Sequence, residues 1–524
     1  MTQAIKEFLN TYSLKTKNIK DLDSAKRKLS KKYKIGILLN SEIFVYYQKS
    51  VKTGRIARNI PLEKLLRKRS IRTLSGIAPV AVLTKPYPCP GNCVYCPNEK
   101  NVPVSYLSNE PAVMRAIRCG YDPYNQVQDR LRALEANGHH PNKIELIVIG
   151  GTWSFFPKAY KYWYIASCFK AANDYARKKT KIRTQKNVDN LEKHLLKEQK
   201  RNEKAKYKII GLTLETRPDY IDSIELKLMR KLGCTRVEIG VQAISDKILE
   251  KNKRGHGVKA VVEATKLLKQ YGFKVTYHFM PGLPGSNASK DVVMFRNLFL
   301  GSRFQPDQMK LYPTVVVKGS LLYRWWKRGE YKPYSDKILQ NLIVKCKALV
   351  PKYVRIIRLI RDIPGESIEA GNLITNLRQI MKDRGVKCDC IRCREARDKP
   401  LPKKLIWDNI EYDASGGKEY FLSLTDSKKQ VLYGFCRLRL DTHSPVAPAV
   451  IRELHVYGEL MPTGRDKKIQ HRGLGKQLIE RAEEIAKKHK SSKMAIISGV
   501  GVRGYYKKLG YNIDSTYMVK SLEK

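Results

Sequence analysis

The segment Cys89-Pro-Gly-Asn-Cys93-Val-Tyr-Cys96 carries more information about this chain than any other. Its three cysteines follow the spacing C-x3-C-x2-C, which brings three thiolates within reach of one small inorganic cluster. A structural four-iron, four-sulfur (4Fe-4S) cluster takes four cysteine ligands, so a loop with three leaves one iron free. The spacing therefore predicts a reactive cluster bound by Cys89, Cys93 and Cys96.

The free iron is the expected binding site of S-adenosylmethionine (SAM), which a reduced cluster cleaves to a 5′-deoxyadenosyl radical. This chemistry also requires an electron donor. Other interpretations of the loop are a zinc site, a disulfide pair or buried apolar cysteines. A compact zinc site needs a fourth Cys or His close by, and the next cysteine, Cys119, lies too far along the chain.

The charge of the chain is strongly one-sided. Lys and Arg number 102 against 49 Asp and Glu, which gives a net charge of +53 over 524 residues. A surface adapted only to solubility or heat normally balances Lys with Glu. The excess therefore predicts a polyanionic partner, with nucleic acid as the first candidate.

The sequence shows no sign of a membrane partner or of secretion. No apolar run approaches the ~18 residues that span a bilayer. The first residues, Met1 to Glu7, lack the apolar core of a signal peptide. Eleven cysteines without a secretory signal indicate a reducing compartment, and we expect a cytoplasmic protein.

Strand-like and helix-like segments alternate through the middle of the chain. The predicted strands are residues 144–149, 209–214, 236–239, 275–279 and 308–311. Repeated β-then-α units predict a parallel sheet, here a partial (β/α) barrel of the TIM type. Nearer the C-terminus, short predicted strands precede one amphipathic helix, which indicates a second domain of mixed α/β type.

Shifts in composition divide this α/β chain into four parts. We expect a basic helical module at residues 1–75, a barrel domain at 76–380, a Cys-rich linker at 381–403 and a mixed α/β domain at 404–524. The charge-dense stretch 178–208 is predicted to be a solvated helical excursion of the barrel domain.

Glycines and charged residues follow the first two predicted strands. Gly150-Gly151-Thr152 comes directly after the first, and glycines at the carboxyl edge of a parallel sheet let backbone groups approach a ligand closely. The position resembles the one in which radical-SAM enzymes hold the SAM amino group. Glu215 and Arg217 follow the second strand and are candidates for the SAM ribose or carboxylate, with a surface ion pair as the alternative.

The segment Gln470-His471-Arg472-Gly473-Leu474-Gly475-Lys476 opens the amphipathic helix with the form Q-x-x-G-x-G. Its glycines let consecutive backbone N–H groups wrap a pyrophosphate, and the helix dipole favours negative charge there. This arrangement resembles the acetyl-CoA loop of Gcn5-related acetyltransferases. Downstream, Tyr505 and Tyr506 are candidates to contact the CoA sulfur and protonate the leaving thiolate, with packing aromatics as the alternative.

The linker contains Cys388-Asp389-Cys390-Ile391-Arg392-Cys393, which places three soft ligands within six residues. Zinc is the natural occupant of such a thiolate set, and a second iron–sulfur cluster is the alternative. We expect a zinc brace between the two large domains, with a fourth ligand that is not evident locally.

Basic residues are spread over several segments rather than collected in one motif. The candidate RNA contacts are Arg67, Lys68 and Arg69 in the basic module, and Arg355 and Arg358 between the two large domains. The chain also contains 30 Tyr, and aromatic rings stack on the unpaired bases that proteins read in RNA.

A radical-SAM loop and an acetyl-CoA domain in one chain resemble the catalytic subunit of Elongator and its stand-alone archaeal and bacterial relatives. The resemblance runs from about residue 75 to the C-terminus. Besides the cysteines, it includes residues 110–118, 121–124, 211–219, 310–314, 361–364, 452–458 and 497–501.

The resemblance implies modification of the wobble uridine of tRNA to 5-carboxymethyluridine. The implied cofactors are a 4Fe-4S cluster, SAM and acetyl-CoA. The implied partner is the tRNA anticodon stem-loop. The resemblance also allows binding to other Elongator-like subunits or self-association of the chain. In the implied mechanism, the deoxyadenosyl radical takes hydrogen from the acetyl methyl group, the carbon radical attacks C5 of an extruded uridine, and water releases CoA.

Two other functions stay open at this point. A protein lysine acetyltransferase with a structural radical-SAM domain would need a base, and Glu453 and Glu459 are the candidates. A non-catalytic RNA-binding scaffold would coordinate all four irons of the cluster, whereas a catalyst leaves one for SAM.

Overall fold

The computed structural model describes residues 1–67, 75–175, 181–182, 187–397, 399–458 and 473–523. They form a helical module, an open barrel of parallel strands, a short linker with three cysteines and a mixed α/β domain, in that order. The predicted α/β class with two large domains is confirmed. Within the described ranges, no helix is both long and apolar enough to cross a membrane.

The N-terminal module is a helical unit with an apolar core of its own. Its helices are α1 (Thr2–Glu7), continued by a π-helical turn at Phe8–Tyr12, α2 (Ile19–Lys32), α3 (Asn40–Lys52) and α4 (Ile60–Leu66). Phe8, Leu29, Phe44 and Leu62 are buried together in a cluster separate from the main core. The side chain of Asn18 caps α2, which explains where that helix begins.

The barrel domain is built on a parallel sheet of seven strands in the order β1-β2-β3-β4-β5-β6-β8. Its strands are β1 (Ala78–Leu83), β2 (Lys143–Ile149), β3 (Lys208–Thr216), β4 (Arg236–Gln242), β5 (Lys274–Phe279), β6 (Gln308–Leu311) and β8 (Arg355–Arg358), while β7 (Val316–Val317) pairs with β9 (Ile368–Ala370) outside the sheet. Because β1 and β8 are the two edges, the barrel is open between them. We call this domain the half-barrel.

All five strands predicted for this region are present, and β1 and β8 are additional. β1 is difficult to recognise because it contains Pro79, which interrupts a strand pattern and is tolerated on an edge strand. Parallel strands covered on the outside by helices give long buried runs, which is why β2 to β6 were recognisable.

Helices cover the outer face of the half-barrel. They are α5 (Pro111–Arg118), α6 (Pro123–Ala136), α7 (Lys158–Asn173), α8 (Val188–Asn202), α9 (Ser223–Lys231), α10 (Asp246–Lys251), α11 (Val258–Gln270), α12 (Ala288–Asn297), α13 (Leu321–Lys327), α14 (Asp336–Ala348) and α15 (Leu377–Asp383). The prediction of a solvated excursion at 178–208 is wrong for α8. Leu191 and Leu195 are fully buried there, because an apolar stripe at i, i+4 packs this otherwise charged helix onto its neighbours.

The linker contributes the short helix α16 (Ile391–Arg394), and the C-terminal domain follows as a second sheet. Its strand order is β10-β12-β13-β14-β15-β17-β16, with β11 also paired to β12. The elements are β10 (Ile406–Trp407), β11 (Ile410–Ala414), β12 (Gly417–Thr425), β13 (Leu432–Leu440), β14 (Ala449–Val456), α17 (Leu474–Lys488), β15 (Lys493–Ile496), α18 (Arg503–Lys507), β16 (Asn512–Asp514) and β17 (Tyr517–Ser521).

β14 and β15 are paired in parallel only as far as Ile451 and Ile496. β14 then continues to Val456 without a ladder to β15, so the sheet opens at this point. Helix α17 buries Leu474, Leu478 and Ala482, as the predicted amphipathic pattern required. The opening in the sheet and the beginning of α17 therefore belong to one end of the domain.

The C-terminal domain packs against the amino-terminal ends of the half-barrel strands. Arg452 of β14 donates to both carboxylate oxygens of Asp307, the residue before β6, at 2.8 and 2.6 Å, and it also donates to the carboxylate of Glu419. All three side chains are buried. A Cβ added to Gly499 would lie 2.0 Å from the carbonyl oxygen of Ile210 in β3. The interface is thus tightly packed and buries charge, so it holds the two domains in one fixed arrangement.

Candidate active site

The cysteine loop lies after β1, at the carboxyl edge of the half-barrel. Backbone hydrogen bonds hold its outer turn: the Val94 N–H donates to the carbonyl of Asn252, and the Leu322 N–H donates to the carbonyl of Val94, at 3.2 and 2.7 Å. Cys93 is buried and Cys96 is half-buried. Two sequence-distant segments therefore hold the loop in place.

Arg254 provides positive charge at the loop. Its Nη1 donates to Sγ of Cys93 over 3.3 Å, and the side chain is buried. The hydrogen bond from Cys96, and then the Arg254 guanidinium, lower the pKa of Cys93 to about 5 against the effect of burial. The same hydrogen bond raises the pKa of Cys96. The loop therefore favours the thiolate form of Cys93.

The glycines near the loop serve close packing. A Cβ on Gly91 would lie 2.1 Å from Nη1 of Arg217, and one on Gly150, whose φ is +141°, would lie 2.0 Å from Oγ1 of Thr84. Gly151 faces open space. Sγ of Cys89 is 3.8 Å from Oγ1 of Thr152, so the predicted Gly-Gly-Thr turn does lie beside the cysteine loop.

Buried polar atoms without a hydrogen-bond partner surround this loop. Among the described residues they include Thr84 Oγ1, Arg217 Nη1, Gln242 Oε1 and His256 Nε2. A buried polar atom left without a partner costs about 1–3 kcal/mol, so a cluster of such atoms indicates a site built for a polar ligand. A cysteine-bound cluster carrying SAM fits this donor set.

Arg217 is buried and forms an ion pair with Asp219 at 2.8 Å. Its guanidinium donates to Asp219 and to the carbonyl of Arg254, which connects β3 to the segment that supports Cys93. Only Nη1 is left to face the loop. A direct contact of Arg217 with SAM stays a prediction, but its support of the loop is visible.

The inner wall of the half-barrel is charged, and Glu215 is its member among the predicted site residues. His278 of β5 lies between two carboxylates, with Nε2 at 2.9 Å from Glu238 and Nδ1 at 3.4 Å from Glu215. Lys310 of β6 also bonds Glu238. Burial would raise the pKa of Glu238, but Lys310 and His278 hold it well below its usual range.

This wall had a recognisable signal. The inward positions of TIM-type barrels are mostly filled by Val, Ile and Leu. Here neighbouring strands place Glu238, Thr276 and Gln308 in register on one face. Charged and polar residues at alternate positions of otherwise apolar buried strands indicate a polar cavity rather than a packed core.

The predicted acetyl-CoA loop leads into α17. Gly473 caps this helix with φ of +77°, a left-handed conformation that glycine adopts without strain, and Leu474 is its first residue. Gln470, His471 and Arg472 lie outside the described residues. Lys476 is exposed and pairs with Glu480 at 3.5 Å. The helix N-terminus thus begins where the glycine pattern places it.

The two candidate tyrosines differ in environment. Tyr505 is 41% exposed, and its hydroxyl would lie 2.6 Å from a Cβ on Gly475, so it reaches the beginning of α17. Tyr506 is buried and packs beside Tyr511, and burial strongly raises its pKa. Tyr505 is therefore positioned for contact with a ligand of this loop, and Tyr506 for packing.

The end of β14 reaches the opening of the half-barrel. Nε2 of His455 lies 3.0 Å from the carbonyl oxygen of Ser75, just before β1. Nη1 of Arg355, the first residue of β8, donates to the hydroxyl of Tyr457 at 3.0 Å. The opened end of the C-terminal sheet therefore spans the gap between the two edge strands of the half-barrel.

The linker cysteines come together as a compact set. The Sγ atoms of Cys388, Cys390 and Cys393 all lie within 4.8 Å of one another, and no fourth described side chain joins the group. Thiolates about 2.3 Å from one tetrahedral ion lie about 3.8 Å apart, so the spacing fits a single metal ion. Hydrogen bonds from Cys388 and Cys393 hold the pKa of Cys390 well below its usual range.

The candidate RNA contacts are dispersed. Arg67 is half-buried and packs against Gly138, while Lys68 and Arg69 lie outside the described residues. Arg355 is held by Tyr457 and by Glu395, at 2.8 Å from the carboxylate. Arg358 is more exposed and pairs with Asp362. A phosphate contact of Arg355 stays a prediction and would require these bonds to open.

Known families match the chain in the order of its domains. The Radical SAM superfamily matches residues 87–296, the Radical_SAM C-terminal domain matches 306–385, and the acetyltransferase (GNAT) family matches 376–511. The fold and the site therefore define a radical-SAM half-barrel joined to a GNAT acetyltransferase domain.

Several known proteins resemble almost the whole chain. The tRNA uridine(34) acetyltransferase of Dehalococcoides mccartyi (strain CBDB1) is 44% identical, with 87% of this chain and 100% of that protein covered. Elongator complex protein 3 of Schizosaccharomyces pombe is 41% identical, with 88% of each covered. The solved structure of Methanocaldococcus infernus Elp3 with an N-terminal deletion has a TM-score of 0.72 at 38% identity, covering 85% of this chain and 99% of that one. The chain belongs to the family of tRNA uridine(34) acetyltransferases and Elongator complex protein 3.

Proposed function

We propose that this chain modifies the wobble uridine of tRNA and forms 5-carboxymethyluridine from acetyl-CoA. One observation carries the proposal. β14, which borders the expected acetyl-CoA cleft, ends at the opening of the half-barrel, where His455 meets Ser75 and Tyr457 meets Arg355. On this proposal, a thioester bound at the end of β14 would reach the charged interior through the gap between β1 and β8, where both substrates would meet.

When bound, the cluster and SAM supply a radical able to remove hydrogen from an unactivated methyl group. The residues of the chain bind and orient the reactants. Cys89, Cys93 and Cys96 would hold the cluster, and Arg254 supports Cys93. Gly151, which faces open space, and Thr152 beside Cys89 would leave room for the amino group of SAM, and Gly150 lets this turn pack closely on Thr84.

The C-terminal domain would bind acetyl-CoA and release CoA. The N–H groups at the start of α17 suit its pyrophosphate. Burial and Glu480 raise the pKa of Tyr505, which keeps its hydroxyl protonated as a donor to the departing thiolate. Glu215 faces His278 across 3.4 Å, where it can accept a proton from a bound nucleotide.

The alternative function, protein lysine acetylation, has less support. Its candidate base Glu453 is bound by Arg437 at 2.9 Å and lies near Lys274. Burial would raise the pKa of Glu453, but these cations lower it to about 2, which makes it a poor base. The backbone of β3 packs directly against Gly499, which leaves no open groove at that segment. The other candidate base, Glu459, lies outside the described residues.

The proposal also names partners. A net charge of +53 suits the anticodon stem-loop of tRNA, and an electron donor must reduce the cluster. Other Elongator-like subunits or a second copy of this chain are further candidates. All eleven cysteines are free thiols, which suits the cytoplasm.

We also propose zinc at Cys388, Cys390 and Cys393. The compact thiol set carries this proposal, and a structural ion there would stabilise the linker between the two domains.

The function is tested anaerobically with the full chain. The protein is reconstituted with iron and sulfide and supplied with reductant, SAM, methyl-labelled acetyl-CoA and bulk tRNA. The nucleosides are then analysed by mass spectrometry. Labelled carboxymethyluridine is expected with the wild type and with the control Cys119→Ala, a half-buried cysteine outside the loop, but not with Cys89→Ala.

Two other outcomes would reject the proposal. Labelled lysine on protein with unmodified tRNA would establish the acetyltransferase instead. Intact SAM in the presence of a fully loaded cluster and reductant would favour the RNA-binding scaffold.

A further inference from the structure

Three aromatic rings reach solvent together at the carboxyl edge of the half-barrel. Phe155 is 39% exposed, and its ring centroid lies 6.0 Å from that of Tyr87 and 5.9 Å from that of Tyr220. Tyr87 and Tyr220 are half-buried. A single exposed aromatic residue is ordinary, but three in contact form a patch that marks an interaction site. We call Tyr87, Phe155 and Tyr220 the aromatic rim.

The rim is supported from below by stacked rings. Phe156 stacks on Tyr87 with centroids 4.7 Å apart and planes inclined by 27°, and it stacks in turn on Tyr160 at 4.7 Å and 21°. Nζ of Lys85 lies 5.1 Å above the Tyr160 ring. This packing fixes the orientation of Tyr87 in advance, so that little side-chain entropy is lost when a flat ligand binds.

Each rim residue comes from a segment that builds the candidate active site. Tyr87 precedes Cys89 by two residues, Phe155 lies in the 3₁₀ turn that follows Thr152, and Tyr220 follows Arg217 at the end of β3. The rim therefore borders the edge of the half-barrel where the cysteine loop and the Gly-Gly-Thr turn meet. A nucleotide that enters there brings its neighbours in the RNA to the rim.

We propose that the aromatic rim is a stacking platform for the bases that flank the target uridine. The inference rests on the proposed function. Extruding a base removes its stacking on both neighbours, which costs a few kcal/mol. Aromatic side chains that stack on the exposed neighbours recover part of this loss, and they accept any base because every base has a π-face.

Charge favours RNA over a protein as the occupant. The chain carries a net charge of +53, and Lys85 and Lys158 are exposed beside Tyr87 and Phe155 in the sequence. A base stacked on the rim has its phosphates nearby, and these cations suit them. Aromatic faces next to basic side chains are the usual composition of single-stranded RNA sites.

The test uses the reconstituted full chain and an anticodon stem-loop with 5-iodouridine next to the wobble position. Ultraviolet crosslinking followed by peptide mass spectrometry is expected to identify Tyr87, Phe155 or Tyr220. Stem-loop affinity is measured for Phe155→Leu, which removes the π-face but keeps an apolar side chain, and for Phe155→Trp, which keeps the face. We expect Phe155→Leu to weaken binding by about tenfold and Phe155→Trp to retain it.

Trp407 supplies the matched control, since it is also 39% exposed but belongs to β10 of the other domain. Trp407→Leu is expected to leave binding unchanged. Crosslinks away from the rim, together with unchanged affinity of Phe155→Leu and Tyr220→Leu, would overturn the proposal. If those variants instead changed the oligomeric state, the rim would be a protein interface.

Formation of the modified nucleoside is scored separately in the same samples. A wild-type chain that binds and crosslinks at the rim but leaves uridine unmodified would contradict the proposed function alone. If the Phe155→Leu and Tyr220→Leu variants modify uridine as well as the wild type does, the stacking platform alone would be contradicted.

Discussion

Arg254 donates a hydrogen bond to the sulfur of Cys93 across 3.3 Å, although 161 residues separate them. The guanidinium is buried and bonded as well to the carbonyl of Gly240 at the end of β4. The carbonyl at the end of β4 therefore holds the guanidinium of Arg254 in place, and Arg254 brings a positive charge to Cys93, one of the predicted cluster ligands.

Removing this charge should weaken cluster retention. We expect Arg254→Met to lose iron about tenfold more readily in a chelator challenge, because a hydrogen bond to a charged group contributes about 1.5–3 kcal/mol. Lys253→Met is the matched control, since Lys253 is adjacent and exposed. Equal iron retention by both variants would show that Arg254 does not stabilise the thiolate.

The buried ion pair between Arg452 and Asp307 should govern domain stability. Arg452→Ala removes the guanidinium that bonds both Asp307 and Glu419 and leaves Lys269, at 3.7 and 3.5 Å, as the cation near both carboxylates. We expect a loss of about 3 kcal/mol in the free energy of unfolding. Arg481→Ala is the control, because Arg481 is half-buried and pairs with Glu484 within α17, at 2.8 Å. That change should cost less than about 0.5 kcal/mol in urea unfolding.

Gly499 should not tolerate a side chain. A Cβ there would lie 2.0 Å from the carbonyl oxygen of Ile210, so the backbone of one domain must shift. We expect Gly499→Ala to destabilise the protein by about 2 kcal/mol. Gly504→Ala should be neutral or slightly stabilising, since nothing lies within 4 Å of its added Cβ. The thermal unfolding temperatures of the two variants are compared. A drop for Gly499→Ala alone would show that the close contact with β3 matters, and an equal drop for both would indicate a general effect of this segment.

Glu453 should make stability depend on acid pH. Its folded-state pKa of about 2 lies below the ordinary 4.5, so the unfolded chain takes up the proton first as the pH falls. The stabilisation is complete above pH 4.5 and is lost as the pH falls towards 2, with a limit of about 3 kcal/mol. Urea unfolding at about pH 5.5 and about pH 3.5, roughly one unit either side of the ordinary pKa of 4.5, should show the first part of this loss.

Glu453→Gln should remove this contribution to the acid slope. The charged groups that face Glu453 are Lys274, Arg437 and His455, and the first two stay cationic throughout this range. Nε2 of His455 donates to the carbonyl oxygen of Ser75 and is retained in both proteins. Identical slopes for the wild type and the variant would contradict the assignment.

The linker thiols should bind about one zinc per chain. Because thiolates supply the binding energy, Cys390→Ser is expected to lose the ion, and metal analysis of purified protein measures this directly. Cys119→Ser lies outside the set and should retain it. Iron and sulfide in place of zinc at these cysteines would indicate the second cluster considered from the sequence.

Much of the fold was accessible from local patterns. β2 to β6 are short segments rich in apolar residues, and α17 shows its buried face at i, i+4 and i+8. The cysteine loop, Gly150 and Gly473 were recognisable because a turn or a close backbone approach demands particular residue types within a few positions. β1 was missed, since Pro79 interrupts the pattern that identifies a strand.

The charged half-barrel wall needed the fold itself. Glu238, His278 and Lys310 stand on three strands, and nothing in the chain order says that their side chains meet. The fold was also needed to tell Tyr505 from Tyr506, because two adjacent residues of one type differ only in what packs around them.

The amino-acid sequence was sufficient for the cluster motif, the order of the domains and the family, because each depends on residues close together along the chain. Folding was needed to bring Arg254 to Cys93, to fix Arg452 on Asp307 and to direct the end of β14 into the gap of the half-barrel. These contacts join residues far apart in the chain, and their geometry depends on strand register and domain packing, which no local pattern encodes.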